Sequence, residues 1–373
     1  MTWPTEKLGS LVTIKTGRLD ANAADVDGLY PFFTCSREPL KINSHAFDCD
    51  AILIAGNGDL NVKHYNGKFN AYQRTYVVTS LSDKVLDTRY LFYFMDKYVE
   101  RLRELSIGGV IKYIKLGMLT DAEIPLPPLA EQQRIAAILD KADAIRCKRQ
   151  QAIQLADDFL RAVFLDMFGD PVTNPKGFDK APITTLADII TGFAFKSKDY
   201  VTDSYSSVRL CRGANTLTGY FDWGDTVFWP KNKIDGVESY LIKEGDVILA
   251  MDRPWISSGL KVCIFPSNER DTYLVQRVAR LRPTSPTYTD YIYSCIKSGA
   301  FEKHCCPTET TVPHISPVEL KNFEVLIPKE SMVMKYHNVV SRVRASLSQM
   351  KLAEQLSKSG IDALSQKAFR GEL

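Results

Sequence analysis

The chain has 373 residues, of which 45% are hydrophobic and 24% charged. These proportions are typical of a globular protein, and chains of this length usually divide into domains. The 47 basic and 44 acidic residues give a net charge of +3, which does not identify a nucleic-acid binder, although a local basic face suffices for phosphate contacts. No apolar run reaches the ~18 residues of a membrane helix, and the start lacks the pattern of a signal peptide. We therefore expect a cytoplasmic protein without a membrane partner.

Residues 1–127 have the strand and loop patterns of a mixed α/β domain. Residues 50–55 form a short apolar run that leads into the polar loop 56–59, and residues 76–79 are rich in residues that favour strands. We expect a short helix at 89–105. Long loops separate these elements, and binding residues concentrate on loops that a rigid frame holds in place.

Residues 128–170 predict one long helix. Pro127 and Pro128 precede it, no proline or glycine occurs from 130 to 168, and Gly169 follows, which are helix start and stop signals. Apolar residues recur at heptad spacing on two lines: Ile135, Ala142, Ala156 and Val163, and Ile138, Ile145, Ala152 and Phe159. At about 1.5 Å per residue the helix would be roughly 58 Å long. Packing on its own domain alone is the commoner use of such a stripe, but its length and width favour a partner helix.

The remaining residues predict the same two parts again. In residues 171–328 we expect strands at 240–242, 247–250, 262–265 and 275–279 and a helix at 288–301. Residues 329–373 predict a second long helix, with Tyr336, Val343, Met350 and Leu364 at heptad spacing. Gly360 should weaken or kink this helix.

Matching segments in the two halves indicate an internal repeat of about 200 residues. Gln73-Arg74 matches Gln276-Arg277 at an offset of 203 (276 − 73), and residues 123–127 match 324–328 at 201 (324 − 123). Earlier matches give offsets of 178 (186 − 8) and 196 (246 − 50). The sequence thus predicts an α+β protein with a pseudo-two-fold internal repeat. Its two mixed α/β domains, 1–127 and 171–328, would be joined by two long antiparallel, coiled-coil-like helices, 128–170 and 329–373.

The cysteines and histidines give weak support for a metal site. The eight cysteines are scattered and include no CxxC pair. His304, Cys305, Cys306 and His314 could supply ligands, but adjacent cysteines fit a tetrahedral ion poorly and no second paired cluster exists. Ordinary thiols in a loop or core are the favoured interpretation, and we expect no metal.

Motifs for catalysis are not found. Asn174-Pro175-Lys176-Gly177 departs from the Asn/Asp-Pro-Pro-aromatic pattern expected of an adenine methyltransferase. Gly67-Lys68 is followed by Phe69 where a phosphate-binding loop needs Ser or Thr, and Asn61 stands where a dinucleotide loop wants its third glycine. The five histidines suggest no nucleophile–base pair. We therefore expect no catalytic residue.

Residues 124–135 (IPLPPLAEQQRI) resemble the junction between recognition domain and spacer helix in specificity subunits of Type I restriction-modification systems. The resemblance covers essentially the whole chain, although residues 325–332 depart from the motif and lack the Glu-Gln pair. It implies a non-catalytic DNA-binding subunit. Each recognition domain would read one half of a bipartite, asymmetric target in double-stranded DNA, with the helices acting as a ruler. Two modification subunits would dock on the helices and methylate adenine with S-adenosylmethionine. Restriction subunits, using ATP and Mg, would join to cleave unmethylated DNA, and no cofactor would be held by this chain.

The side-chain types that can contact DNA bases or phosphates give ten candidate residues. Arg and Lys suit guanine edges, Asn and Gln suit adenine, and phosphate contacts need only charge. The DNA-binding candidates are Asn57, Lys63, His64, Arg74 and Lys112 in the first domain and Arg212, Asn215, Arg253, Ser257 and Arg277 in the second. For each, a solvated loop or a structural polar group is the competing interpretation. Arg74 and Arg277, with their neighbouring glutamines, lie on or beside predicted strands and have the strongest structural competitor.

Two other functions stay open. A scaffold or decoy with the same layout would bind modification subunits without reading DNA, and the mild net charge permits this. An enzyme with an unfamiliar site is the third hypothesis. Salt-sensitive, sequence-dependent DNA binding would distinguish a DNA-specificity subunit from a scaffold. Methyl transfer by the isolated chain would support the enzyme.

Overall fold

The computed structural model describes residues 3–306 and 314–372, with the side chains of these residues apart from 348, 351–359, 361 and 362. The chain forms two compact units, one of Met1–Gln151 with Lys351–Leu373 and one of Ala152–Met350. Residues 307–313 of the predicted second domain lie outside the described residues.

The first unit is built on a six-stranded sheet with a two-stranded sheet beside it. Its strands are β1 (Thr5–Lys7), β2 (Val12–Thr16), β3 (Tyr30–Phe33), β4 (Leu40–Ile42), β5 (Phe47–Ala55), β6 (Val62–Ala71), β7 (Thr75–Ser80) and β8 (Glu123–Pro125). The large sheet has the order β2-β7-β5-β6-β3-β4, and β1 pairs with β8. All of these pairings are antiparallel except β3 with β6.

Three helices begin in this unit: α1 (Thr88–Leu105), α2 (Leu116–Thr120) and α3 (Leu129–Phe168). The side chain of Asp87 accepts a hydrogen bond from the Tyr90 backbone N–H at 2.8 Å and caps the start of α1. Residues spaced three and four apart on α1 are buried: Tyr90, Leu91, Phe94, Met95, Val99 and Leu102. This apolar face covers the sheet and forms the core of the unit with it.

The second unit has more and shorter strands. They are β9 (Lys180–Pro182), β10 (Ala187–Thr191), β11 (Ser207–Cys211), β12 (Val227–Pro230), β13 (Val247–Ala250), β14 (Trp255–Ile256), β15 (Gly259–Leu260), β16 (Val262–Ile264), β17 (Thr272–Leu274), β18 (Val278–Pro283) and β19 (Glu324–Leu326). Its helices are α4 (Thr289–Ile296), α5 (Gly299–Cys305), α6 (Pro317–Asn322) and α7 (Glu330–Arg370). The sheets have the orders β10-β18-β13-β16, β12-β11-β17, β14-β15 and β19-β9.

The strand orders repeat between the units. The order β2-β7-β5-β6 corresponds to β10-β18-β13-β16, and β4-β3-β6 corresponds to β12-β11-β17. The long strand β6 is therefore replaced by the two shorter strands β16 and β17. This division splits the six-stranded sheet of the first unit into two sheets in the second.

The registers correct two predicted offsets of the repeat. Four strand pairs fix the equivalence: Val12–Ser80, Ala55–Thr75, Ala187–Pro283 and Ala250–Val278. The strands β7 and β18 are related by an offset of 203 (283 − 80). Their paired neighbours then give an offset of 175 between β2 and β10 (187 − 12) and an offset of 195 between β5 and β13 (250 − 55). The predicted values of 178 and 196 were too large because they matched residue types rather than paired positions.

Most predicted elements are present, with four differences. Of the strand expected at 275–279 only the end is formed, because residues 276–277 make a turn before β18 begins at Val278. The helix expected at 288–301 is two helices, α4 and α5, that break at Lys297 and Ser298. Residues 240–242 form no strand, because Tyr240 ends a short 3-10 helix and Leu241 makes only an isolated bridge to Tyr273. The helix α7 continues through Gly360 without a break.

The ends of the long helices contribute to both cores. In the first unit, residues from the start of α3 (Ile135, Ala136, Leu139) and Ala368 near the end of α7 are buried together. In the second, Phe164 and Phe168 near the end of α3 are buried with Val333, Tyr336 and Val340 of α7. The middle of α3 is less covered, and the predicted stripe residues Ile145 and Phe159 are exposed.

Equivalent tyrosines anchor the helix ends in each unit. The Tyr90 ring lies 5.2 Å from the Phe369 ring and its hydroxyl donates to the Pro125 carbonyl at 2.7 Å. In the second unit, Tyr291 lies 4.8 Å from Phe168 and donates to the Leu326 carbonyl at 2.7 Å. Within the described part of the chain, no helix is both long enough and apolar enough to cross a membrane.

Candidate nucleic-acid interface

Three segments of the first unit meet at one end of the six-stranded sheet. They are the loop 56–59 after β5, the turn at residues 73–74 between β6 and β7, and the hairpin 107–113 after α1. The Gly56 N–H donates to the Arg74 carbonyl at 2.9 Å, and the Gly58 N–H donates to the Lys112 carbonyl at 2.9 Å. Asn57 forms a backbone bridge with Tyr113. We call these segments the first loop cluster.

Glycine is needed where the loop approaches the turn. A Cβ atom at Gly56 would lie 2.3 Å from the Arg74 carbonyl oxygen, closer than real side chains come to backbone. The equivalent position in the second unit is Met251, which carries a side chain.

The first loop cluster is basic and polar on its outer side. Arg74 and Lys112 are exposed, and neither has an ion-pair partner among the described residues. Asn57 is half-buried beside them. Unpaired cations next to an amide side chain are suited to phosphate and base-edge contacts. Three of the five predicted residues of this domain, Asn57, Arg74 and Lys112, are therefore brought together.

The second unit repeats the same backbone hydrogen bonds with different side chains. The Met251 N–H donates to the Arg277 carbonyl at 2.9 Å, the Ile315 N–H donates to the Met251 carbonyl at 2.9 Å, and Asp252 bridges His314. Their equivalents in the first unit are Gly56 with Arg74, Ile114 with Gly56, and Asn57 with Tyr113. We call residues 251–255, 276–277 and 314 the second loop cluster.

An acidic residue organises the second loop cluster. The Arg277 Nη1 donates to Asp252 Oδ2 at 2.7 Å, and His314 Nδ1 lies 2.5 Å from Asp252 Oδ1. Burial raises the pKa of Asp252, but the hydrogen bonds from Arg277 and His314 outweigh it and hold the pKa below its ordinary range. Asp252 is thus charged at neutral pH and orients an otherwise exposed guanidinium. Sequence reasoning missed Asp252 and considered His314 only as a metal ligand, and only the repeat of the Gln-Arg turn could have indicated their role here.

Two exposed arginines of this cluster have an unusual backbone. Arg253 has a φ of 44° and Arg277 a φ of 65°, in the left-handed region that residues other than glycine seldom adopt. Both belong to the predicted set; Arg277 is held by Asp252, and Arg253 follows Asp252 directly in the chain. Such conformations cost free energy and tend to occur at functional sites.

Lys63 and His64 lie on β6 and have partners of their own. The Lys63 ammonium donates to the Asn61 side chain, and burial lowers its pKa. His64 contacts Asp50 Oδ1 at 2.6 Å and Arg89 Nη1 at 3.1 Å. No described hydrogen bond joins either residue to the first loop cluster, so their predicted DNA contact would be separate from it.

The three other predicted residues lie on two loops of the second unit. Asn215 is 1% exposed, and its amide donates to the carbonyls of Asp222 and Asp225 while its oxygen accepts from the Arg212 N–H. A base contact by Asn215 would require this loop to open. The Arg212 side chain is half-buried and bonds Asp225, whereas Ser257 is exposed in the β14–β15 turn.

The residues weighed as metal ligands do not form a cluster. Among the described residues, no three His, Cys, Asp or Glu side chains come together in a metal-holding group. His304 Nε2 lies 2.9 Å from the Glu319 carbonyl, and burial raises the pKa of Cys305 to about 12. The Cys305 thiol is therefore protonated and held in a core.

The first part of the chain matches a known class of domain. Residues 1–156 match the family model described as Type I restriction modification DNA specificity domain. The match includes the first loop cluster and the start of α3.

Named relatives extend the similarity over the whole chain. The chain is 29% identical to the Type I restriction enzyme EcoDI specificity subunit of Escherichia coli, over 100% of this chain and 88% of that protein. It is 23% identical to the Type I restriction enzyme MjaVIII specificity subunit of Methanocaldococcus jannaschii, over 87% of this chain and 82% of that protein. The resemblance found in the sequence is confirmed: the chain is related to the specificity subunits of Type I restriction-modification systems.

A solved structure has the same fold. The crystal structure of the Type-I restriction-modification system S subunit from M. genitalium matches with a TM-score of 0.67 at 16% identity, over 99% of this chain and 96% of that one. The mixed α and β fold is therefore shared at low sequence identity.

Proposed function

We propose that this chain selects the DNA target of a Type I restriction-modification complex. In this proposal the first and second units each read one half of a bipartite, asymmetric sequence. The observation that carries it is the pair of loop clusters, which have the same backbone hydrogen bonds but different side chains. Two different half-sites require similar backbone frameworks that carry different side chains, because base edges are distinguished by side-chain chemistry.

The side chains that would do the reading differ in charge between the clusters. The first offers Asn57, Arg74 and Lys112, and the second offers Arg277 held by Asp252, with Arg253 beside it. An amide suits adenine, an arginine suits guanine, and a carboxylate can accept from cytosine. The two half-sites should therefore differ in base composition as well as in order.

The long helices would act as a ruler between the domains 1–127 and 171–328. Contacts inside each unit support an antiparallel pairing, because the start of α3 is buried with the end of α7 in one unit, and the end of α3 with the start of α7 in the other. Forty residues of α3 span about 60 Å at about 1.5 Å per residue. That length accommodates half-sites one DNA turn apart, about 34 Å.

The chemistry would belong to partner subunits. Two modification subunits would dock on the helices 128–170 and 329–373 and methylate adenine with S-adenosylmethionine, and restriction subunits with ATP and Mg would cleave unmethylated DNA. This chain would have no catalytic residue and no cofactor, and it would act in the cytoplasm. Its role would be to position the modification subunits on the chosen sequence.

Methylation sequencing tests this proposal. Cells carrying the chain with a modification subunit that co-purifies with it should acquire adenine methylation at one split motif, absent when the chain is deleted. A stable complex that methylates no defined motif would instead support a scaffold or decoy that binds modification subunits without reading DNA. Methyl transfer by the isolated chain would contradict the non-catalytic role.

A further inference from the structure

The hairpin 107–113 presents apolar side chains to solvent at its tip. Reciprocal hydrogen bonds between Ile107 and Tyr113, at 3.0 and 2.9 Å, close the hairpin. Val110 is fully exposed and Ile111 is 63% exposed. Scattered exposed apolar residues need no explanation, but adjacent ones on a braced protrusion indicate a binding surface.

The hairpin stands within the first loop cluster and is held there at its base. The Lys112 carbonyl accepts from the Gly58 N–H, and Tyr113 bridges Asn57. A Cβ at Gly108, which has a φ of 113°, would lie 2.6 Å from the Ile111 carbonyl oxygen. The base of the hairpin is therefore fixed, and it holds Val110 and Ile111 in the same cluster as the exposed cations Arg74 and Lys112.

This combination of groups fits DNA better than a protein surface. Exposed cations belong to the same loop cluster as the apolar tip, and none of the described acidic side chains pairs with Arg74 or Lys112, as phosphate binding would require. Branched apolar side chains enter DNA as wedges that press between base pairs and partly unstack them, with cations on the neighbouring phosphates. The Lys112 side chain is where such a phosphate contact would be made.

We propose that Val110 and Ile111 form an apolar wedge that enters the DNA at the half-site read by the first unit and unstacks one base step there. The inference rests on the proposed DNA-reading function and adds a specificity device to it. Because steps differ in how easily they unstack, the wedge would select the flexible pyrimidine–purine steps without a hydrogen bond to any base.

A double substitution with a matched control tests the wedge. The test variant is Val110→Ser with Ile111→Ser. The control is Leu81→Ser with Val85→Ser, which removes two exposed apolar side chains from the loop at the other end of β7. Both are assayed as the complex with the modification subunit, on duplexes carrying the motif from methylation sequencing. Each adenine of the first half-site, on either strand, is replaced in turn by 2-aminopurine, which still pairs with thymine and whose fluorescence rises on unstacking.

If the wedge enters the DNA, unstacking is expected at one base step only. The unaltered complex and the control should raise 2-aminopurine fluorescence at a single step, and the test variant should not. Its affinity should fall roughly ten- to a hundred-fold, the loss expected from two apolar contacts. The slope of affinity against salt should stay unchanged, because no phosphate contact is removed.

Three outcomes would overturn the proposal, and they separate its failure from that of the proposed function. Specific binding by the unaltered complex with no fluorescence rise at any step rejects the wedge alone. A test variant that no longer holds the modification subunit would identify the hairpin as a protein contact, which also rejects the wedge alone. Absence of any sequence-specific binding by the unaltered complex rejects both the wedge and the proposed function.

Discussion

Two ion-pair networks, one in each unit, predict that a domain is fully stable only on the long helix with which it normally pairs. In the first unit, Arg89 of α1 donates from Nε to Asp140 Oδ1 of α3 at 3.1 Å. At the equivalent position, 201 residues later (290 − 89), Asp290 of α4 is the acid. His337 Nδ1 of α7 lies 2.7 Å from its Oδ2, and Arg344 ion-pairs with its Oδ1. The domain therefore supplies the cation and the long helix the acid in the first unit, whereas the domain supplies the acid and the long helix the cations in the second.

This reversal predicts that a second copy of residues 171–328, placed where 1–127 stood, is destabilised. The α3 residues equivalent to the two cationic partners of Asp290 are Ala136 (337 − 201) and Asp143 (344 − 201). The transplanted Asp290 would thus meet Asp140 and Asp143 in place of cations. Asp290 is 0% exposed, and a buried carboxylate without its partners costs about 3–5 kcal/mol. At about 2–4 °C per kcal/mol, the Tm of that unit should fall by roughly 6–20 °C.

Scanning calorimetry of the purified chains checks this prediction. Ala136→His with Asp143→Arg should restore most of the lost Tm in the duplicated chain, and Asp290→Asn in the transplanted copy should also raise it. In the unaltered chain the same α3 substitutions should lower Tm, because Ala136 is buried and Asp143 pairs with Arg146 at 2.7 Å. A duplicated chain with the Tm of the parent, or one that neither change improves, would refute the reasoning.

The remaining predictions concern the loop clusters, the ruler and acid stability. Lys112→Ala should weaken binding of all sequences alike and reduce the salt slope by about 1, whereas Arg74→Ala should relax discrimination at one base if it reads a guanine, both measured by anisotropy titrations. Asp252→Asn should free Arg277 and relax the motif only in the second half-site, as read by methylation sequencing. Deleting about two turns of α3 should change the accepted spacer but not the half-sites, and an active deletion with unchanged spacing would defeat the ruler. Burial raises the pKa of Asp140, but hydrogen bonds from Arg89 and Tyr93 hold it below 3.8. That contact stabilises above pH 3.8 and is lost as the pH falls through the lowered pKa, so the destabilisation by Asp140→Asn in urea titrations should shrink in acid.

Regular elements with long, uninterrupted patterns could be predicted from the sequence. The helices α3 and α7 follow from the runs without proline and from their apolar spacing, and they begin and end within three residues of the predicted bounds. The repeat was visible because the Gln-Arg turn and the tyrosine helix recur in order. Local patterns suffice where neighbouring residues determine the structure.

Features that depend on distant contacts could not be predicted. Residues 275–279 have the composition of a strand, but Arg277 takes a left-handed backbone and makes a turn there, which composition does not reveal. Asn215 looks like an adenine reader in the sequence, yet its amide is buried by a loop that closes on it from ten residues away. The placement of Arg74 and Lys112 in one loop cluster depends on backbone hydrogen bonds from Gly56 and Gly58 at the sheet end, and no local pattern encodes it.

Domain replacement followed by methylation sequencing tests the central claim most directly. Residues 1–127 are exchanged for the corresponding domain of a relative with a different motif, and the chain is expressed with its modification subunit. We predict a split motif in which one half changes, while the other half and the spacer between them are unchanged. A motif altered in both halves, or in neither, would contradict the assignment of one half-site to each unit.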